Sequence, residues 1–222
     1  MKNLIFKEFK LSVHPLTYLM MVLISLAALS GLGPSYPLFL FGVFYTFLFI
    51  GIKKGVTNND LYYTLLLPVR KEKVVLARIT STTILQAIYL AMVFVTSAVA
   101  LLIPEQDGML LSIGVKQPLV FIAIALLVYT IFDFIYFPWF YKKGKEVIWN
   151  MLIGTIVCAI VACGLCIGLA YIPGVLDILT IGSQTANYLI QIVVLMFGVI
   201  VYIFGKFLLV KICTKEIKKL DF

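Results

Sequence analysis

The chain has 222 residues, of which 63% are hydrophobic and 13% are charged, and its mean hydropathy is +1.10. A soluble domain averages about 45–50% apolar and about 25% charged residues, so the composition excludes one and indicates an all-α, polytopic membrane protein. The formal net charge of +8 comes from lysines and arginines between the apolar stretches. We interpret it as a topology signal that also attracts anionic membrane lipid, and we expect no nucleic-acid partner.

Residues 1–14 precede the first apolar stretch and have the pattern of a two-faced helix. The polar positions at helical spacing are Asn3, Lys7, Lys10 and His14, and the apolar ones are Ile5, Phe6, Phe9 and Val13. This pattern predicts an amphipathic helix in the membrane interface, with its lysines toward the headgroups. The alternative is a frayed basic tail.

Six apolar stretches are each long enough to approach the roughly 20 residues that a membrane span requires. The predicted spans are 16–32, 36–52, 79–103, 118–141, 147–172 and 187–210. The first two meet at Gly33, Pro34 and Ser35, which predicts a tight helical hairpin. We therefore expect one transmembrane domain that covers residues 1–222.

The cations fall almost entirely on one side of this six-span arrangement. Threaded in this way, 17 of the 18 lysines and arginines lie on the same face of the membrane, and only Lys116 lies on the other. By the positive-inside rule, both termini are predicted to be cytoplasmic.

The connection at residues 53–78 is the longest of the predicted cytoplasmic connections and carries more than a linker needs. Helix-capping residues at 58–60 precede a short amphipathic pattern, so residues 58–67 are predicted to form a helix along the membrane surface. Pro68 is expected in the first turn of the next helix. We expect a partner to dock here, and the alternative is a plain interfacial linker. The candidate contact residues are Asp60, Tyr62, Tyr63, Leu66, Pro68, Arg70 and Lys71.

Asp133 is the one carboxylate predicted to lie inside a span, about 12 Å from the cytoplasmic end of its helix. An intramembrane carboxylate is costly and is treated by default as functional. It is a candidate for a substrate path with Gln86 and Gln191. The alternatives are a pair with Lys142 or Lys143, a side chain that reaches the wet boundary, and, for the glutamines, hydrogen bonds between helices.

The fifth predicted span carries small residues at helical spacing. Such residues let two helix backbones approach closely, which suits packing against a second copy or within the chain. The candidate residues are Gly154, Cys158, Ala162, Gly164 and Gly168. The cysteines, including Cys163 and Cys166, are interpreted as small apolar residues, and no metal site is expected.

Catalytic motifs are missing from the sequence. There is no phosphate-binding loop, and His14 is the only histidine, so metal-dependent and Ser-His-Asp chemistry are not expected. We expect no enzymatic activity and no cofactor bound by this chain.

Two stretches resemble the small ABC-2-type transporter permeases. Residues 67–78 read LPVRKEKVVLAR and are similar to a motif of that family, with one serine missing; residues 137–146 read FPWFYKKGKE and resemble a second motif at the end of the fourth span. Within the family, the chain looks most like permeases that export amphipathic peptides, such as the phenol-soluble modulin exporters.

The resemblance implies a bacterial cell-membrane exporter subunit of six spans. Residues 1–14 would be the elbow helix, and 58–67 the coupling helix that contacts a separate cytosolic ATPase, which binds ATP and Mg. It also implies a dimer with a second permease copy or a paralogue. The rival hypotheses are a stand-alone secondary transporter or channel, and a membrane immunity protein.

Overall fold

The computed structural model describes residues 2–12, 15–27, 42–43, 69–100, 118–143, 152–161, 164 and 185–219. The regular structure of these residues is helical. Its elements are α1 (Lys2–Lys7), a π-helical segment (Glu8–Ser12), α2 (Pro15–Ala27), α3 (Lys71–Ala100), α4 (Pro118–Lys143), α5 (Leu152–Val161) and α6 (Thr185–Lys218).

Three helices, α3, α4 and α6, are long and apolar enough to cross a bilayer. They contain 30, 26 and 34 residues, against the roughly 20 that a span needs. The chain is therefore an all-helical membrane protein with at least three long apolar helices. The prediction of six spans stays a prediction, because most of the second predicted span, the end of the first and more than half of the fifth lie outside the described residues.

Helix α4 forms the centre of the bundle. In its most apolar stretch 61% of the residues are buried, against 17% for α6, whose outward face is lined by exposed large apolar side chains. Helix α4 packs most extensively on α6, and both contact α3. A helix that exposes so much apolar surface is stable only where lipid covers it.

The directions of the long helices follow from which residues meet. Helix α3 runs antiparallel to α6, since Glu72 contacts Lys218 and Gln86 contacts Lys206. Helices α4 and α6 run parallel, since Gly198 approaches Ala123 and Gly205 approaches Thr130. The beginning of α3 and the ends of α4 and α6 therefore share one end of the bundle, which we call the basic end.

The long helices extend beyond two of the predicted spans at this end. Helix α3 begins at Lys71, eight residues before the predicted span 79–103, and α6 ends at Lys218, eight residues after the predicted span 187–210. Lysine and glutamate favour helices, and backbone hydrogen bonding continues past the apolar residues, so a change in polarity does not end a helix. Val69 lies in a bend before α3, and Pro68, which is predicted in the first turn of this helix, lies outside the described residues.

Candidate functional site

A cluster of four polar side chains, which we call the polar junction, joins the three long helices inside the bundle. Gln86 comes from α3, Asp133 from α4, and Tyr202 and Lys206 from α6. The Lys206 ammonium donates to Asp133 Oδ2 at 2.6 Å and to Gln86 Oε1 at 3.0 Å. The Gln86 amide donates to Asp133 Oδ2 at 3.2 Å, and the Tyr202 hydroxyl donates to Gln86 Oε1 at 2.6 Å.

The polar junction is electrically balanced. Asp133 and Gln86 are almost fully buried, and the Lys206 side chain is only 13% exposed. A lone charge at this depth would be costly, but the Asp133 carboxylate and the Lys206 ammonium neutralise one another. The Gln86 amide also donates a hydrogen bond to Asp133, and the Tyr202 hydroxyl donates one to Gln86. Because its partners come from three helices, the junction resists any sliding of α6 past α3 and α4.

A second buried ion pair fastens the N-terminal segment to the bundle. The Arg78 guanidinium donates to the Glu8 carboxylate, with Nη2 at 3.1 Å from Oε1 and Nε at 3.2 Å from Oε2. Arg78 also lies over the Phe140 ring, with its Cζ atom 5.0 Å from the centroid. Residues Glu8, Arg78 and Phe140, here named the N-terminal clamp, connect the π-helical segment with α3 and α4.

Local structure explains how Glu8 reaches this position. The helix changes from α to π geometry at Glu8, and a π turn is wider than an α turn, which changes the direction of the following side chains. Glu8 is 4% exposed, whereas Phe6 is 69% exposed. The two-faced pattern predicted for residues 1–14 does not include Glu8, although Glu8 is a buried polar residue in this segment.

Stacked aromatic rings on α4 connect the two clusters. Phe132 stacks on Tyr136 with centroids 5.5 Å apart, and Tyr136 stacks on Phe140 at 5.9 Å. Phe132 is adjacent to Asp133 in sequence, and Phe140 belongs to the clamp. The rings thus form one rigid ridge of about 12 Å between the clamp and the polar junction.

Two of the three predicted path residues meet in the polar junction, and the third does not. Gln86 and Asp133 are in contact, whereas Gln191 is buried on α6 fifteen residues before Lys206, about 22 Å along the helix. The suggested pairing of Asp133 with Lys142 or Lys143 is wrong. Those lysines follow on the same helix, about 14 Å or more away along its axis, and the partner is Lys206.

The predicted docking residues lie mostly outside the described residues. Asp60, Tyr62, Tyr63, Leu66 and Pro68 belong to that part of the chain. Arg70 is exposed immediately before α3, and Lys71 begins the helix. In sequence, the predicted docking segment 58–67 is followed closely by α3, which begins about two turns before Arg78 of the clamp.

The small residues of the fifth predicted span are divided between two surroundings. Gly154 faces Phe132 and Ile135 of α4, and the Cys158 thiol lies 3.7 Å from the Val128 carbonyl, so both pack within the chain. Gly164 faces open space within the described structure. Ala162 and Gly168 lie outside the described residues.

Sequence reasoning missed the roles of four residues in these clusters. The charge pattern places Lys206 and Arg78 among the cations of the membrane surface, and the hydropathy pattern gives no signal for Glu8 or Tyr202. A signal for Lys206 was present: it lies within a predicted span, as Asp133 does, and two opposite charges in spans are expected to neutralise one another.

Comparison with known protein families shows which family the chain resembles over most of its length. Residues 3–214 match the sequence model of a family described as "ABC-2 family transporter protein". Comparisons with curated proteins and with solved structures gave no significant match.

Proposed function

This chain belongs to the ABC-2 family of transporter proteins, and from that membership we propose that it is the membrane subunit of an ATP-driven exporter. It is the transmembrane, non-catalytic part of such a transporter, and ABC-2 permeases generally pair with an ATPase subunit. The proposed cargo is an amphipathic peptide or another hydrophobic molecule, moved out of a bacterial cell.

The observation that carries the proposal is how α3 is fastened at its first turns. The predicted docking segment leads into Lys71, and two turns later Arg78 is held by Glu8 and Phe140. A force applied by an ATPase to residues 58–67 would therefore pass into α3, and through the clamp into α4 and the N-terminal segment. Packed helices move as units, so such a push is transmitted rather than absorbed.

The proposed substrate path follows the seam of α3, α4 and α6. Support comes from Gln86 and Asp133, which offer hydrogen-bonding groups in an apolar surrounding, as amphipathic cargo requires. In this conformation Lys206 and Tyr202 occupy those groups. Cargo would gain access when α6 separates from the other two helices, and Gln191 would lie farther along the same seam.

The proposed assembly contains two permease subunits, either two copies of this chain or this chain and a paralogue. Gly154 and Cys158 are occupied by contacts within the chain, so of the described small residues Gly164 is the one that faces outward. We place the second subunit on the Gly164 side of the fifth predicted span, with Ala162 and Gly168 as the candidates that accompany it.

The docking proposal is tested with the variant Tyr62→Ala/Leu66→Ala. Removing the aromatic and apolar side chains should reduce the amount of ATPase that co-purifies with the tagged permease by about tenfold or more, since such anchors dominate interfaces. The matched control is Tyr18→Ala/Leu19→Ala, the same two residue types exposed on α2. Undiminished recovery of the ATPase with the first variant would overturn the proposed docking site.

A further inference from the structure

A groove of about 550 Å³ lies between the first turn of α3 and the last turns of α6, at the basic end of the bundle. Helix α3 contributes Glu72, Lys73 and Leu76. Helix α6 contributes the remaining lining residues, which are Val210, Lys211, Thr214, Lys215 and Lys218. None of the residues proposed for the substrate path or for ATPase docking lines this groove.

The groove carries a surplus of positive charge. Glu72 is neutralised by Lys218, whose ammonium lies 2.7 Å from its carboxylate. Lys73, Lys211 and Lys215 remain as three exposed ammonium groups, and among the described residues no carboxylate lies within ion-pair distance of them. A ligand that complements the groove therefore carries at least one negative charge.

The floor of the groove and its continuation into the membrane are apolar. Leu76 lies about one turn deeper than Lys73, and Val210 lies next to Lys211 and about one turn deeper than Lys215. On α6, Phe207 and Ile203 follow on the same face at four-residue spacing, and they are 69% and 50% exposed. Basic residues at the bundle end therefore meet an apolar track that runs toward the bilayer centre.

We propose that this groove binds an anionic phospholipid, with the phosphate among Lys73, Lys211 and Lys215 and an acyl chain along Val210, Phe207 and Ile203. Charge complementarity selects the headgroup, and basic pockets between transmembrane helices at the membrane boundary are suited to such headgroups. A soluble anion would use the lysines and leave the apolar track without a ligand. An acidic protein surface would also leave it uncovered, since the track descends into the region that lipid occupies.

The test measures lipid binding to the purified full-length chain by native mass spectrometry. Phosphatidylglycerol and phosphatidylcholine with the same acyl chains are compared for the natural chain, for Lys211→Gln/Lys215→Gln, and for the charge-retaining Lys211→Arg/Lys215→Arg. The control Lys10→Gln/Lys142→Gln removes the same charge from two exposed lysines outside the groove. Each lysine near an anionic lipid contributes about fivefold in affinity, so the glutamine variant should bind phosphatidylglycerol about 25-fold more weakly.

The expected pattern keeps phosphatidylcholine binding equal in all four proteins and confines the loss to Lys211→Gln/Lys215→Gln. An equal loss in the Lys10→Gln/Lys142→Gln control would show attraction to overall charge and would overturn the site. Displacement of phosphatidylglycerol by an equal concentration of glycerol phosphate, which has no acyl chain, would also overturn the site.

Unchanged lipid binding with loss of the co-purifying ATPase would assign the groove to a protein partner and overturn the lipid site. If the glutamine variant is not recovered from membranes, Lys73→Gln/Lys211→Gln replaces it with the same expectation.

Discussion

At the scale of single residues, the stability of the bundle depends on keeping its buried charges paired. Asp133 and Lys206 neutralise one another inside the apolar interior, at a distance of 2.6 Å. A buried ion pair adds little compared with a well-packed apolar pair, but removing one partner leaves the other charge uncompensated. The two residues are therefore expected to tolerate joint replacement better than single replacement.

We predict that Asp133→Asn lowers the free energy of unfolding by about 3–5 kcal/mol, because the Lys206 ammonium loses its counter-charge. Asp133→Asn/Lys206→Met should recover most of that loss. The measurement is the thermal midpoint of each variant in detergent. The control is Glu216→Gln, which removes the ion pair with Lys219 at the surface and should leave the midpoint nearly unchanged, because solvent screens such a pair. Equal midpoints for Asp133→Asn and Glu216→Gln would contradict this account.

The sequence allowed only part of this site to be predicted. Asp133 and Gln86 were singled out because polar groups in apolar spans are conspicuous, and the structure brings them into contact. Lys206, the partner of Asp133, could not be predicted, because the charge pattern places cations near a span end at the membrane surface. Lys206 is also 73 residues from Asp133 in sequence, and hydrophobic periodicity does not show which residues of two distant helices meet. Glu8 was missed because a change to π geometry leaves no simple pattern in the sequence.

At the scale of elements, the pair formed by α4 and α6 depends on close backbone approach. A Cβ atom added at Gly198 would lie 3.1 Å from the Ala123 Cα atom, and at Gly205 it would meet the Thr130 side chain. Both glycines lie on the face of α6 that contacts α4, seven residues apart. Small residues are used in this way between membrane helices, where van der Waals packing drives association.

We predict that Gly198→Val separates α4 from α6 and lowers the free energy of unfolding by about 1–3 kcal/mol, because the Ala123 backbone cannot rotate out of the way. Ala87→Val is the control, since it places the same β-branched side chain at an exposed position of α3. Thermal midpoints in detergent compare the two variants with the natural chain. A Gly198→Val midpoint equal to that of the control would show that the helices are not packed as described.

Helix bounds were more predictable where apolar residues end at a turn than where they end at charges. Helix α4 begins at Pro118, the residue predicted, because proline suits the first helical turn. Helices α3 and α6 continue for eight residues into charged sequence that hydropathy assigns to the surface. Hydropathy measures where the membrane ends, and backbone hydrogen bonding determines where the helix ends.

At the scale of the whole molecule, the segments that carry the described cations converge on one end of the bundle. The N-terminal segment, the beginning of α3 and the ends of α4 and α6 meet there through the clamp and through the Glu72–Lys218 pair. The sequence predicted this common side from charge alone. The positive-inside rule assigns that side to the cytoplasm, and this assignment stays a prediction.

We predict that single cysteines at positions 3, 142 and 219 react with a membrane-impermeant maleimide in inverted vesicles and are protected in intact cells. A cysteine at position 116, which lies outside the described residues, should show the opposite pattern. The background replaces the natural cysteines at 158, 163, 166 and 213 with alanine. Labelling of position 142 or 219 in intact cells would reverse the proposed orientation.

The N-terminal clamp has a consequence for the order in which the chain is made. Glu8 leaves the ribosome 70 residues before Arg78 and 132 residues before Phe140, so its counter-charge does not yet exist when the first helices reach the membrane. Until α3 has been synthesised, the Glu8 carboxylate stays hydrated at the interface, because burying it alone is too costly. The N-terminal segment therefore docks on the bundle late during biogenesis. A nascent chain that ends before Arg78 lacks the ion pair that fastens this segment to α3.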